Sequence, residues 1–166
     1  MQDFVHLHVH TQYSLLDGQA SVSRLVDKAM KDGMKGIAVT DHGNMFGIKE
    51  FTNYVNKKNS GPKGEIKDLK KRIAGIESGE IECEDKEAEI ADCRAKMAEA
   101  ESKLFKPIVG CEMYVARRTM DKKEGKPDQS GYHLIVLAKN EKGYHNLIKL
   151  VSHAWTRGYY MRPRTD

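Results

Sequence analysis

The sequence predicts an α/β fold that carries an inserted helical hairpin, and two observations support this prediction. Short apolar runs alternate with amphipathic helical patterns along most of the 166 residues, which is typical of parallel strands connected by helices. Between residues 60 and 104 the alternation stops, and two apolar stripes at coiled-coil spacing replace it. The charge divides in the same way, because 60–104 carries a net −3 and the remainder a net +7.

Seven segments outside 60–104 follow a strand or a helix pattern. Apolar β-type runs predict strands at 4–9, 37–40, 108–115 and 134–138. Amphipathic spacing predicts helices at 21–31, 44–58 and 141–155. Ser21 stands where it can cap the first helix and Gly33 where the helix stops, while Phe46 is counted among the inward positions of the second helix. In α/β folds the loops after strand carboxyl ends carry the functional site.

The region 60–104 is predicted to be two helices folded back on each other as an antiparallel coiled coil. Its apolar residues recur at intervals of three and four; they are Ile66, Leu69, Ile73 and Ile76, then Ile90, Cys93, Met97, Ala100 and Leu104. We interpret the region as an insertion that interrupts the domain at about 60–104. Its charged remainder is most simply a solvated face, and binding of a protein partner is the alternative.

Composition excludes several classes of protein. No apolar run approaches the roughly 20 residues that a membrane helix needs, and the start of the chain lacks the basic and apolar blocks of a signal peptide. The three cysteines, Cys83, Cys93 and Cys111, form no CxxC pair, which favours a reducing compartment. We therefore expect a cytoplasmic protein without a membrane partner.

Three histidines alternate within five residues at His6, His8 and His10. In a strand, alternate side chains share one face, so the three imidazoles are expected to point the same way. A shared face of imidazoles is a reason to expect metal binding. The alternative is a surface strand that is histidine-rich by coincidence.

Further candidate ligands follow or lie within the predicted strands; they are Asp17, Asp41, His42, Glu112 and His133. Asp41 could bind metal directly or orient His42, and Glu112 inside an apolar strand would be costly if buried without a partner. Each has a structural alternative: a turn aspartate for Asp17 and Asp41, an incidental histidine for His42, an exposed edge for Glu112, and a structural role for His133.

Imidazoles and carboxylates without a thiolate cluster suit zinc, manganese or iron, and Cys111 is interpreted as a small core residue. Two or more such ions suit phosphoester hydrolysis, because they generate hydroxide and hold the attacking and leaving oxygens. No Walker loop, GxSxG elbow or dinucleotide fingerprint is present. The sequence assigns no residue as the catalytic acid or base.

Four segments resemble the successive motifs of polymerase and histidinol phosphatase (PHP) domains: HLHVHT, TDHGN, KPIVGCE and YHLIVLAKN. Longer segments resemble the start of bacterial replicative polymerases of the DNA polymerase III alpha family: FVHLHVHTQYSLLDG, GIAVTDHGNMFGIKEF and GYHNLIKLVSHAW. The resemblance covers residues 1–58 and 105–166.

The resemblance implies a distorted (β/α)7 barrel whose complete form holds up to three divalent ions, zinc or manganese. It implies the metal ligands His8, His10, Asp17, His42, Glu112 and His133, with Glu112 bridging two ions and with His6 and Asp41 in weaker or supporting roles. It further implies DNA synthesis by the parent chain, metal-dependent 3′–5′ exonuclease proofreading, and as partners DNA, an exonuclease subunit and a sliding clamp.

Two departures from the family pattern lead to further expectations. The region 60–104 stands in place of a short connection, and the later DxH motif of the family has no counterpart up to residue 166. We therefore expect the amino-terminal part of a PHP domain, about four of seven βα units, with little nuclease activity in isolation and a tendency to self-associate. The alternatives are a free-standing phosphoesterase of the histidinol-phosphatase type and a non-catalytic interaction module.

Overall fold

The computed structural model describes residues 4–129 and 131–166. The chain forms two compact units, Met1–Tyr54 with Lys106–Asp166, and Val55–Phe105. The helices are α1 (Val22–Lys31), α2 (Ile48–Lys58), α3 (Ser60–Ser78), α4 (Lys86–Ser102), α5 (Lys126–Gln129) and α6 (Glu141–Thr156). The strands are β1 (Gly36–Val39), β2 (Lys106–Val115), β3 (Tyr132–Leu137), β4 (Tyr159–Tyr160) and β5 (Arg162–Thr165). Within these described ranges, no helix combines the length and apolarity needed to cross a bilayer.

The first unit is an α/β structure built around β2, the longest strand. Residues 106–109 of β2 pair in parallel with β1, and Tyr114 and Val115 pair in parallel with β5. Strand β4 extends the sheet beyond β5 as an antiparallel neighbour. The predicted α/β class and its parallel pairing are therefore confirmed for this part of the sheet.

Strand β3 pairs antiparallel with β2, from Gly110 opposite Leu137 to Val115 opposite Tyr132, so the expectation of parallel pairing throughout was wrong. A parallel return needs a crossover, which is usually a helix, and the connection between β2 and β3 contains only the four-residue α5. Asp128 of α5 is buried and accepts hydrogen bonds from Arg118 and from the Glu124 backbone N–H. The connection is thus held as a compact loop rather than a crossover.

Residues 4–9 were predicted to be a strand but do not form one. Two backbone hydrogen bonds, each 2.9 Å long, join this segment to β1 and the residue after it, from Ala38 N to His6 O and from Thr40 N to Val9 O. From one bond to the next the segment advances by three residues, whereas its partner chain segment advances by two. The regular hydrogen-bond ladder between two strands is therefore interrupted. The Val9 N–H is satisfied instead by the hydroxyl of Thr40 at 2.9 Å.

Helix α1 has the predicted range, with Ser21 at the N-cap position and Val22, Val26 and Ala29 buried. The Ser21 side chain, however, makes no capping hydrogen bond. Helix α2 begins at Ile48 rather than at 44 because the Asn44 side chain holds a turn, accepting from the Phe46 N–H at 3.1 Å. Phe46 consequently lies exposed, which corrects its predicted inward position.

The second unit contains α3 and α4, which pack against each other. Residues Ile66, Ile76, Cys93 and Ala100 of the predicted stripes are buried. The two helices are also linked by a hydrogen bond from the Arg72 guanidinium to Glu89. Whether this region is an insertion into an otherwise continuous domain stays a prediction.

The side chains of β2 alternate between two faces of the strand, one in the hydrophobic core and the other at the candidate site. Cys111 and Met113 point toward α6 and form a buried cluster with Leu147, Val151 and Ala154. Because successive side chains of a strand point to opposite faces, Glu112 and Tyr114 project from the other face of β2. The core packing of α6 therefore fixes the strand that carries Glu112.

Candidate metal centre

Glu112 lies at the middle of the candidate site, and main-chain hydrogen bonds from the turn after β1 hold it there. The Glu112 N–H donates to Asp41 O at 3.1 Å, and the Gly43 N–H donates to Glu112 O at 2.8 Å. Gly43 has φ +59, and a Cβ at this position would lie 2.6 Å from Pro163 Cγ. A glycine is thus needed for the turn that aligns His42 with Glu112.

Each carboxylate oxygen of Glu112 faces two imidazoles. Oε2 lies 2.5 Å from His8 Nε2 and 3.0 Å from His10 Nε2. Oε1 is in close contact with His133 Nδ1 and lies 3.5 Å from His42 Nδ1. The segments that supply these side chains are residues 4–10, the turn after β1, and the strands β2 and β3.

The five side chains form two groups of potential metal ligands that share Glu112. One group is His8, His10 and Glu112, and the other is His42, Glu112 and His133, with donor atoms inside each group within 4.8 Å of one another. Glu112 therefore belongs to both groups, and each of its carboxylate oxygens faces one pair of nitrogens. Nitrogen and oxygen donors of this kind fit zinc or manganese.

The hydrogen bonding of His42 supports this interpretation. Its Nδ1 atom is buried and lacks a hydrogen-bond partner among the described residues, whereas its Nε2 lies 2.5 Å from Asp17 Oδ2. Buried polar atoms are nearly always paired. An orphaned ring nitrogen that faces the shared carboxylate is therefore suited to a metal ion.

Burial and neighbouring side chains shift the pKa values of Glu112 and His10. Burial raises the pKa of Glu112, but hydrogen bonds from His8 and His133 outweigh this effect, so that its pKa is lowered overall. The pKa of His10 is lowered, first by burial and then by the charge of His42. Both shifts favour the deprotonated forms that bind metal.

Three sequence candidates lie outside the two groups. Asp17 is exposed and contacts His42 at the edge of the site. His6 is exposed with its ring packed edge-on against Phe4 at 4.7 Å. Asp41 is fully buried, and its oxygens accept hydrogen bonds from the Thr11 N–H and the hydroxyls of Thr11 and Ser14. Asp41 therefore belongs to neither group and instead holds the neighbouring residues Thr11 and Ser14 in place.

Sequence reasoning missed two residues that build the site, Ser14 and Tyr114. Ser14 contacts both His10 and the His42 backbone. Tyr114 stacks on His42 with ring centroids 6.0 Å apart and meets His133 edge-on at 4.9 Å. The period-two pattern of β2 places Tyr114 on the face of Glu112, but nothing local in the sequence indicates the role of Ser14.

Cys111 is in the core as predicted. It is fully buried, its thiol donates to Asp41 O at 3.4 Å, and burial raises its pKa to about 12. The thiol therefore stays protonated and is a poor metal ligand. All three cysteines are free.

A cleft of about 440 Å³ opens beside His42 and Asp17. Its walls are largely aromatic or apolar and include Phe46, Tyr114, Trp155, Tyr159 and Met161, with Arg162 as the basic residue. The rings of Trp155 and Tyr159 are stacked with centroids 5.6 Å apart. The Trp155 indole N–H donates to Gly43 O at 2.7 Å, which ties the cleft wall to the turn of the metal centre.

An α/β sheet that carries clustered imidazoles around a shared carboxylate is typical of metal-dependent enzymes. The chain belongs to the PHP domain family, which matches residues 6–166.

The chain is similar to proteins described as DNA polymerase III subunit alpha. It is 40% identical to that of Borreliella burgdorferi and 39% identical to that of Treponema pallidum, in each case over 98% of this chain and 10% of the relative. The protein of Aquifex aeolicus is 33% identical over 99% of this chain and 11% of its own length. The chain thus spans about a tenth of the length of the curated relatives that it matches.

Proposed function

We propose that this chain is the PHP-domain part of a bacterial replicative DNA polymerase of the DNA polymerase III alpha type. Its histidine cluster would bind divalent metal ions for phosphoester hydrolysis. The proposal rests chiefly on one observation, the buried Glu112 whose two oxygens each face two imidazoles. The similarity to alpha subunits along nearly the whole chain supports the polymerase assignment.

We assign one ion to His8, His10 and Glu112 and a second to His42, Glu112 and His133, with Asp17 completing the side of His42. Zinc or manganese suits these donors, and the complete domain would hold up to three ions. A divalent ion bound here would lower the pKa of a bound water and neutralise charge on a phosphoryl oxygen. Glu112 would fix the spacing of the two ions, and the buried Asp41 would hold the loop that carries Ser14.

The cleft beside His42 favours a nucleotide over a small aliphatic ester. Nucleobases stack on exposed aromatic rings without sequence preference, and Phe46, Trp155 and Tyr159 are exposed at this cleft. The guanidinium of Arg162 lies near the same wall and donates to the Tyr114 hydroxyl at 3.1 Å. We therefore propose that the site removes nucleotides from a DNA 3′ end, as a proofreading 3′–5′ exonuclease.

Other features of the parent protein follow from the same proposal. The parent chain would synthesise DNA in the cytoplasm and would contact an exonuclease subunit and a sliding clamp. The net charge of +7 outside 60–104 is compatible with a phosphate-bearing partner.

Metal content of the purified chain, measured by plasma mass spectrometry, tests the first step. The variant His8→Ala/His10→Ala removes two imidazoles of the cluster, and His145→Ala/His153→Ala removes two exposed imidazoles of α6 as a matched control. We expect stoichiometric zinc or manganese in the wild type and the control, and in the first variant the loss of the ion held by His8, His10 and Glu112. Equal metal content in all three proteins would refute the site.

The nuclease step is tested on the full-length protein that carries this domain, with a single-stranded oligonucleotide labelled at its 5′ end. Stepwise shortening from the 3′ end that requires metal and disappears in His8→Ala/His10→Ala, while DNA synthesis persists, is the expected result. Metal binding without any shortening would leave a metal site but reject the exonuclease.

A further inference from the structure

Ser14 occupies the junction between the buried carboxylate of Asp41 and both groups of potential metal ligands. Its side chain is fully buried. Its hydroxyl oxygen lies 2.7 Å from Asp41 Oδ1, 2.9 Å from His10 Nδ1 and 3.1 Å from the backbone nitrogen of His42. One hydroxyl therefore contacts three polar groups that differ in what they can donate.

Counting protons at this hydroxyl fixes the direction of its hydrogen bonds with Asp41 and His42. A serine hydroxyl has one proton to donate and two lone pairs to accept with. The carboxylate of Asp41 can only accept, so the Ser14 proton points to Asp41. The N–H of His42 can only donate, and it takes one lone pair. The contact of His10 Nδ1 with the remaining lone pair is a hydrogen bond only if Nδ1 carries the hydrogen, in competition with Nε2, which faces Glu112 Oε2 at 3.0 Å.

Such a hydrogen bond would hold His10 in a single tautomer. In a neutral imidazole one nitrogen carries the hydrogen and the other has the free lone pair. With the hydrogen on Nδ1, the lone pair is on Nε2, which lies 2.9 Å from His8 Nε2 and 3.0 Å from Glu112 Oε2. The nitrogen that faces the cluster is the one able to bind a metal ion.

We propose that Ser14, anchored by Asp41, is a positioning residue that locks His10 in its Nδ1–H tautomer and so directs the Nε2 lone pair into the metal centre. The metal-binding part of this inference rests on the proposed function, whereas the tautomer does not. Ser14 also holds the main chain of His42, so the same hydroxyl ties the second group of ligands to the first.

Thr11 provides a matched control. Its hydroxyl donates to the other oxygen of Asp41 at 2.8 Å, and it is also fully buried. The variant Thr11→Val removes a buried hydroxyl from the same carboxylate and also the acceptor of the Tyr13 N–H, but it removes no hydrogen bond of the His10 ring. The variant Ser14→Ala removes the acceptor of His10 Nδ1–H, and Ser14→Thr retains it.

The tautomer is measured by long-range ¹H–¹⁵N NMR of the histidine rings in metal-free protein, at a pH where His10 is neutral. We expect the Nδ1–H form in the wild type, Thr11→Val and Ser14→Thr, and a mixture or the Nε2–H form in Ser14→Ala. Zinc titration by calorimetry should show affinity falling about 10- to 100-fold in Ser14→Ala alone, the usual cost of losing a group that orients a metal ligand.

A wild-type spectrum in which His10 carries its hydrogen on Nε2 overturns the proposal, whether or not Ser14→Ala folds. Unchanged tautomer and affinity in a folded Ser14→Ala overturn it as well. A protein that binds no metal, yet changes tautomer in Ser14→Ala, upholds the role of Ser14 while rejecting the proposed function.

Discussion

A buried carboxylate such as Glu112 is costly unless charged or hydrogen-bonding partners surround it. Four imidazoles surround this one, and they lie in two pairs on its two oxygens. A structural ion pair needs one partner for the carboxylate. Here four imidazoles, which can be neutral, surround a single negative charge. This number of nitrogens is more than charge pairing needs and is the feature that distinguishes a candidate metal centre from such an ion pair.

Single substitutions at this cluster should change the number of bound ions in different ways. Glu112→Gln removes the charge shared by both groups, so we expect both ions to be lost. His8→Ala damages only the first group and should leave the ion held by His42, Glu112 and His133. Plasma mass spectrometry gives the ion count per chain; identical counts in the two variants would contradict a shared bridge.

His10 should make the metal-free protein less stable in mild acid. Its pKa in the folded protein is below the ordinary value of 6.5, so the unfolded chain takes up this proton first. The contribution to stability is therefore present above about pH 6.5 and lost as pH falls toward the lowered pKa.

Urea unfolding at about pH 8 and about pH 5.5 with a chelator, on either side of the ordinary histidine pKa, measures this effect. In His10→Asn the difference in unfolding free energy between the two conditions should shrink. His6→Asn removes an exposed imidazole from the same segment and should keep the wild-type difference. A wild-type protein that is equally stable at both pH values would contradict the prediction.

At the scale of elements, the opposite faces of β2 connect the core to the site. Cys111 and Met113 pack on α6, and Glu112 between them faces the histidines. A change in the packing of α6 therefore acts on the strand that carries the shared carboxylate.

Leu147→Ala on α6 tests this connection. Leu147 is almost completely buried in the cluster with Cys111 and Met113, so its truncation should lower the free energy of unfolding by about 2–5 kcal/mol. Leu150→Ala on the same helix removes a side chain that is 40% exposed and should cost about 1 kcal/mol or less. Equal losses in urea unfolding would show that α6 does not pack as described.

Sequence periodicity predicted the helices and strands that have a clear apolar pattern of their own. It failed for segments whose conformation depends on contacts with residues far away in the sequence. Helices α1 and α6 and strands β1 and β2 follow their apolar patterns closely. Strands β4 and β5 were missed because Tyr159–Tyr160 and Arg162–Thr165 are too short and polar to show a period. The segment 4–9 alternates as a strand should, but Thr40 takes the Val9 hydrogen bond with its side chain. No pattern within 4–9 can reveal that.

The sequence indicates the candidate ligands more clearly than the geometry that supports them. Histidines, aspartates and a glutamate near strand ends are visible in the sequence, and all six proposed ligands lie at or next to the cluster. The hydroxyl of Ser14 is not visible in this way, because its role depends on the approach of residues 27 and 28 positions away along the chain.

On the scale of the whole molecule, apolar side chains exposed at the cleft should promote self-association. Leu16 and Met161 are both exposed there, and both have positive φ, at 69° and 62°. Asparagine tolerates this conformation better than leucine or methionine. Leu16→Asn/Met161→Asn should therefore reduce oligomers in sedimentation velocity without lowering the thermal midpoint. A wild-type chain that stays monomeric at high concentration would contradict this prediction.

Metal binding should stabilise the chain unevenly, because every proposed ligand belongs to the unit formed by Met1–Tyr54 and Lys106–Asp166. A ligand that binds only the folded state adds about 2.7 kcal/mol at a hundredfold excess over its Kd. Hydrogen exchange should therefore slow on zinc addition in β1, β2 and β3. Helix α4, which belongs to Val55–Phe105 and has its own packing against α3, should exchange at an unchanged rate. The His8→Ala/His10→Ala variant should show a smaller effect in β1 and β2. Equal slowing in α4 would mean that the two units unfold as one cooperative structure, and slowing nowhere would mean that zinc does not bind the folded chain.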